Sequence, residues 1–451
     1  MDKQYTKYKN LYFLGIGGIG MSALAQYFFN HGYQVAGYDR FESESTNLLK
    51  TMGIPVSFQD HDDALPGHWK LAETAIVFTP AVPQTLHLFQ QFKSLGLPFY
   101  KRSQVLGWLS QELPTIAIAG THGKTTTTAI MAHVVKSAGY RVLAFIGGIS
   151  ANYGSNIIMD KDPEYLIVEA DEFDRSFLNL QPNWSIITAV DPDHLDIYGN
   201  TDSFNQAFED FAKLTSELTV SHKEVAIKLP ENHKIYAGDK SEITARSIED
   251  GRVLVSLKDE GNTVSFSWRM PGKYNAENAL ATYCISNQLG IPSHKYQAAM
   301  ETFEGVQRRF EAKYEGVNGV LIDDYAHHPK ELAALRSALF ELYPDKKITM
   351  VFQPHLFSRT RDFLEEFASE LSVFHEVLLL PIFPAREEPI PGVNSEALLS
   401  EISCENKSLI APFDLLHFAA KFQGEVLVMA GAGDISKMVE PVRKILASQE
   451  A

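Results

Sequence analysis

The chain has 451 residues, of which 45% are hydrophobic and 21% charged, and it carries a formal net charge of −16. That length predicts two or three domains. The acid excess excludes a non-specific nucleic-acid binder, which needs a basic surface, although a local anion site is still allowed. Its two cysteines, Cys284 and Cys404, are far apart in sequence; they suit a reducing, cytoplasmic setting and exclude a disulfide framework or a cysteine-based metal site.

The chain opens with a segment that imitates an export signal. Lys3, Lys7 and Lys9 precede a largely apolar stretch, 11–29. Gly15, Gly17, Gly18 and Gly20 interrupt that stretch, and Asn30 and His31 follow it, so strand–turn–helix explains it better. No other stretch approaches the roughly 20 apolar residues that span a bilayer, so membrane insertion is not expected.

The first unit alternates strand and helix. Residues 11–14 read as a strand, a helix runs to about His31, and a second strand ends at Asp39. Gly15-Ile16-Gly17-Gly18-Ile19-Gly20 is thus G-x-G-x-x-G in a βαβ setting, a pattern that accommodates a diphosphate, with NAD the default ligand. Strands are predicted at 75–78 and near 98–100, with helices at 84–95 and 103–111. The turn Thr79-Pro80-Ala81 follows a strand, where open α/β sheets bind ligands. Gln111 to Pro114 reads as a linker, placing the first domain at 1–112.

The second unit starts with a phosphate cradle. Thr115 to Ala119 form a buried-type strand, Gly120-Thr121-His122-Gly123 a turn, and Lys124-Thr125-Thr126 the start of a helix. Glycines let backbone N–H groups converge on phosphate oxygens, and the helix N-terminus favours negative charge. Lys124 is expected to reach the terminal phosphates of ATP and Thr125 to ligate Mg²⁺. Ile118 stands where the general P-loop pattern has glycine. Further apolar strands at 141–145, 165–170 and 185–190 predict a parallel sheet covered on both faces. Two of them run into Glu169-Ala-Asp171-Glu172-Phe-Asp174 and Asp191-Pro-Asp193-His194-Leu-Asp196; Mg²⁺ takes oxygen ligands such as these carboxylates. A helix at 202–216 and β-like pieces EVAIKL, RVLVSL and TVSFSW follow. Asn275 and Asn278 begin the next helix, as caps or as readers of a purine edge. The second domain is assigned to 113–307.

The third unit, 308–451, again alternates β and α. Asp323-Asp324-Tyr325-Ala-His327-His328 and His355-Leu-Phe-Ser358-Arg359-Thr-Arg361 each follow a strand, so both should lie at one edge of the sheet and form an anion or substrate site. The fold class expected is α/β: an N-terminal Rossmann-like domain, a central P-loop ATPase-like parallel sheet with extra β pieces, and a C-terminal Rossmann-like domain.

These motifs together resemble the Mur ligase family across nearly the whole chain. The marks are Gly-Thr-His-Gly-Lys-Thr-Thr, EADEFD, DPDHLD, PGKYNAEN, QRRF, DDYAHHP and the C-terminal GAGD. GIGGIGMS, FSRTR and Pro389-Ile-Pro391-Gly392 resemble its alanine-adding members in particular. The family tolerates a non-glycine at 118. The resemblance replaces NAD with a UDP-sugar at Gly15, Gly17, Gly18, Gly20, Asp39, Thr79, Pro80 and Ala81. It implies an ATP-dependent carboxylate–amine ligase of peptidoglycan precursor synthesis, using ATP and Mg²⁺, with UDP-N-acetylmuramate and L-alanine as substrates. The chain would be a cytoplasmic monomer or homodimer.

The resemblance also implies site roles. ATP would contact Gly120, Thr121, His122, Gly123, Lys124, Thr125, Thr126, Asn275, Asn278, Arg309 and Asp324. Thr125, Glu169 and His194 would serve the metal, and Tyr325, His327, His355 and Arg359 the amino acid. Lys124, His194, His327 and Arg359 would carry the chemistry. Two positions depart from relatives: Phe208 replaces a metal-bridging lysine, with Lys213 the next lysine, and Leu356 replaces an arginine. The competing readings are a recycling ligase that adds a tripeptide to the same UDP-sugar, a nucleotide-dependent dehydrogenase, and a non-catalytic nucleotide-binding regulator.

Overall fold

The computed structural model describes residues 5–61, 65–191, 198–249, 251–385, 387–423 and 425–448. It is an α/β protein built on four sheets. Backbone packing separates two compact units. One comprises Met1–Ala245, Val255–Phe266 and Glu277–Phe303; the other comprises Arg246–Leu254, Ser267–Ala276 and Glu304–Ala451.

The first unit contains two parallel-rich sheets. In the five-stranded sheet the order is Val56–Ser57, Gln34–Tyr38, Asn10–Leu14, Thr74–Phe78, Phe99–Lys101, with every pairing parallel. Leu14 pairs with Tyr38 and Phe78, so the loops after these strands emerge at one edge. In the seven-stranded sheet the order is His233–Tyr236, Leu218–His222, Trp184–Ile187, Thr115–Ala119, Tyr165–Glu169, Val142–Ser150, Ser155–Met159. Only its last pairing is antiparallel. Thr115–Ala119 is buried at every position, as expected for a central strand covered on both faces. Ile118 pairs with Glu169, which brings that carboxylate to the mouth of the loop after Ala119.

The second unit is built on a six-stranded sheet ordered Glu311–Gly316, Gly319–Asp324, Val426–Ala430, Ile348–Phe352, Glu376–Leu379, Lys407–Leu409. Its pairings are parallel except that of Glu311–Gly316 with Gly319–Asp324. Ala430 pairs with both Asp324 and Phe352, so the loops carrying His327 and His355 leave the same edge, as the sequence predicts. A three-stranded sheet, Ser241–Glu249, Arg252–Asp259 and Asn262–Trp268, takes up two of the predicted β pieces.

The third piece, EVAIKL, is a correction: residues 224–229 form no strand. Val225 is buried and Ile227 and Leu229 pack against the same apolar core, so their side chains are satisfied without a ladder. The strands nearby are Leu218–His222 and His233–Tyr236. After the strand Ile348–Phe352 the chain forms two helices, Phe357–Asp362 and Leu364–Leu371, divided at Phe363, whose φ of −121° is not helical.

Candidate active site

The turn after Thr115–Ala119 is shaped by two glycines. Gly120 has φ +136° and Gly123 φ +80°. A Cβ at Gly120 would sit 2.0 Å from Thr188 Oγ1, and one at Gly123 would sit 2.9 Å from Asn278 Oδ1. Only glycine fits the first position, because both space and dihedral exclude a side chain. The turn is pinned to the neighbouring strand: Thr121 N–H donates to Ala189 O at 3.0 Å, and Asp191 N–H to Thr121 Oγ1 at 3.2 Å. His122 Nε2 lies 3.7 Å from Asp191 Oδ2. Helix Lys124–Ser137 then begins, with Thr125 and Thr126 buried in its first turn.

Lys124 is not idle. Its Nζ donates to Glu172 at 3.0 and 2.8 Å and to the Gly120 carbonyl. Burial pulls the ammonium down, but Glu172, Asp171 and Glu169 outweigh burial and hold its pKa above that of an ordinary lysine. Glu172 is only 3% exposed, and its carbonyl accepts from Tyr198 OH. Its inward turn was not legible in the acidic run EADEFD. Beside this pair, Thr125 Oγ1 donates to Glu169 Oε1 at 3.1 Å, and Glu169 Oε2 accepts from Gly147 N–H at 2.9 Å. A hydroxyl and a carboxylate in contact at a P-loop fit a hard divalent cation, which takes one or two protein oxygens plus phosphate and water. Among the described residues no three His, Cys, Asp or Glu side chains converge as a self-sufficient metal site. His194 lies outside the described residues.

A cavity of about 320 Å³ joins this carboxylate to the first glycine loop. Gly18, Gly20, Thr79 and Ala81 line one side; Gly147, Glu169 and Asp171 line another. Gly15 packs against Thr79, where a Cβ would meet the methyl at 3.1 Å. Asp39 Oδ2 accepts from Gly17 N–H at 2.7 Å, and its other oxygen accepts from Arg40 N–H, so this carboxylate fastens the loop. Pro80 is exposed on the adjoining turn. Arg102 also lines the cavity. It was not singled out in the sequence, although the strand-end logic applied to Thr79 covers it equally.

The second unit gathers a different chemistry. Asp324 is buried and accepts from the N–H groups of Phe310 and Ala326, both at 2.7 Å. Burial nevertheless pushes its carboxyl up to about 6. The Tyr325 ring lies 5.1 Å from the Arg308 guanidinium and 5.0 Å from that of Arg309. His327 Nδ1 is 2.9 Å from Tyr325 O and 3.2 Å from Glu331 Oε2. Both neighbours of Nδ1 are acceptors, which fixes the proton there and leaves the Nε2 lone pair available. Burial, with Arg359 and Arg309 in support, holds the His327 pKa below the usual histidine value. The His355 ring stands 5.7 Å from that of His327 and stacks on Phe383 at 5.7 Å.

Arg359 lies on the short helix Phe357–Asp362, held by Ser358 N–H donating to Glu387 Oε2 at 2.9 Å. Leu356 precedes that helix at φ +72°, a conformation costly for a branched side chain. Asn275 is buried and donates its amide to Pro271 O at 2.7 Å, while Asn278 lies beside Gly123. Phe208 is fully buried, its ring 5.1 Å from Phe177 and 5.2 Å from Phe204; Lys213 pairs with Asp210.

Family models match most of the chain: "Mur ligase family, catalytic domain" over residues 10–113, "Mur ligase middle domain" over 118–286 and "Mur ligase, glutamate ligase domain" over 308–435. A UDP-N-acetylmuramate–L-alanine ligase of Christiangramia forsetii is 44% identical, covering 98% of this chain and 99% of the relative. A solved UDP-N-acetylmuramate–alanine ligase of Thermotoga maritima superposes with a TM-score of 0.83 at 27% identity, covering 98% and 99% of the two chains. A murein peptide ligase of Psychrobacter arcticus shares the fold at 20% identity, with a TM-score of 0.68 over 97% and 98%.

Proposed function

The chain belongs to the Mur ligase family of ATP-dependent ligases, and on that premise we propose that it joins L-alanine to the lactyl carboxylate of UDP-N-acetylmuramate, with release of ADP and phosphate. The observation that carries this reading is the cavity shared by the first glycine loop and Glu169. A UDP-sugar held at Gly18 and Gly20 can extend its carboxylate toward a nucleoside triphosphate held at Gly120–Thr125. On this reading residues 1–112 take the UDP-sugar, 113–307 the ATP and 308–451 the amino acid.

A carboxylate is a poor acyl donor because its oxide leaves badly. Transfer of the γ-phosphoryl group converts that oxide into phosphate, a good leaving group; the neutral amine of alanine then attacks, and the C–O bond to phosphate breaks. The protein's share is positioning and charge. Lys124 exchanges Glu172 for phosphate oxygens as negative charge moves along the triphosphate. Thr125 and Glu169 would hold Mg²⁺, which would neutralise phosphate charge. The Nε2 lone pair of His327 takes the proton that the attacking amine sheds. Arg359 suits the alanine carboxylate, since a guanidinium binds it bidentately. Among the described residues no helix is long and apolar enough to cross a membrane.

The test is phosphate release with ATP, Mg²⁺ and UDP-N-acetylmuramate, supplied separately with L-alanine, glycine, L-serine or tripeptide. Release with L-alanine is expected. Release with tripeptide alone would assign the recycling reaction instead, and none with any acceptor would refute ligation.

A further inference from the structure

One charged group in the shared cavity is used by none of the roles above. Arg102 opens the helix Arg102–Ser110 directly after the strand Phe99–Lys101. Among the described residues lining the cavity it is the one basic side chain; the acidic ones are Glu169 and Asp171. Its guanidinium passes so close to Gly20 that a Cβ there would come within 2.4 Å of Nη1. Its Nη2 lies 3.4 Å from Asp171 Oδ2. A fully formed guanidinium–carboxylate bond is shorter, about 2.7–2.9 Å, so Arg102 keeps donors for another acceptor.

We propose, resting on the ligation reading, that Arg102 binds the lactyl carboxylate of the UDP-sugar and holds it against the triphosphate. The carboxylate must enter a cavity whose fixed charges, Glu169 and Asp171, repel it, and approach an anionic nucleotide as well. A guanidinium between the glycine loop and those acids offsets this repulsion, and its fork orients both carboxylate oxygens. Arg102 moves no proton, because a guanidinium stays protonated in proteins. Its effect is selective: a UDP-sugar without the lactyl acid leaves Arg102 on Asp171 and gains nothing from it.

The experiment compares UDP-N-acetylmuramate with UDP-N-acetylglucosamine, which has the same nucleotide and sugar without the lactyl acid. Binding of each to wild type, Arg102→Met and Arg102→Lys is measured by calorimetry, with a non-hydrolysable ATP analogue as control. Wild type is expected to prefer the muramate. Arg102→Met should weaken muramate binding about 100-fold, the loss of a charged hydrogen-bonded pair, and leave glucosamine and ATP-analogue binding within a few-fold. Arg102→Lys should recover part of the loss. Equal weakening of both sugars, weakening of the ATP analogue, unchanged muramate binding, or a wild type indifferent to the lactyl acid would each overturn the proposal. Wild type that binds the muramate selectively through Arg102 but releases no phosphate with any amine would instead refute the ligation reading.

Discussion

The P-loop region and the histidine-rich edge of the C-terminal sheet solve opposite electrostatic problems. At the P-loop the functional cation already has a partner: Lys124 sits on a buried Glu172, two donor contacts deep. The lysine is held by a carboxylate of the same chain, and on the proposed reading a triphosphate displaces that carboxylate when it binds. At the C-terminal edge burial acts the other way. It holds His327 neutral and drives the Asp324 carboxyl up toward protonation. On the proposed reading one region exchanges ionic partners and the other keeps an uncharged base.

That contrast can be broken by substitution. The largest effect is expected from Lys124→Ala, which should lower kcat about 10³-fold, since it removes a preorganised charge from phosphoryl transfer, while UDP-sugar binding measured by calorimetry stays intact. His327→Asn should lower kcat/KM for L-alanine about 100-fold, within the range for loss of a general base. Its pH profile gives the sharper readout. Wild-type activity should persist below pH 6.5, because the His327 pKa is lowered and the base loses its lone pair only in more acid solution; in the variant that acid limb should vanish.

Glu172→Gln should cost about 3 kcal/mol of stability, because it strands a buried ammonium. An ATP analogue should then raise the melting temperature more in the variant than in wild type, since phosphate supplies the missing counter-charge. Equal shifts would mean that Glu172 and the nucleotide do not share Lys124. The last effect concerns Asp324 and is confined to a pH window. Its folded pKa is raised from 3.8 to about 6, so the unfolded chain ionises first, and its stabilising contribution is present below about pH 4 and lost as pH rises to about 6. The full loss is roughly 3 kcal/mol at most. Asp324→Asn should flatten that part of the stability profile, whatever constant cost the amide adds.

What the sequence revealed follows from how local each feature is. The strand–glycine–lysine order announced the strand, the glycine turn and the helix after it, because loop geometry and helix start are set by adjacent residues. Strand ends located Glu169, Asp324 and His327 for the same reason. The inward turn of Glu172 was not legible because an acidic run does not say which carboxylate is buried; that depends on Lys124, 48 residues away. Arg102 escaped because its partners, Gly20 in the helix Ile19–Asn30 and Asp171 just after the strand Tyr165–Glu169, are distant in sequence and meet it only in the folded chain. EVAIKL carried strand composition, yet its apolar side chains found the core without pairing, a case of tertiary packing overriding propensity.

The central claim is that the γ-phosphoryl group passes onto the sugar-borne carboxylate before the amine attacks. It is tested most directly by labelling that carboxylate with ¹⁸O and examining the phosphate released in the presence of ATP, Mg²⁺ and L-alanine. Phosphate carrying one ¹⁸O per turnover is the predicted result, because the carboxylate oxygen leaves with phosphorus. Unlabelled phosphate formed at the same rate as the amide would contradict it.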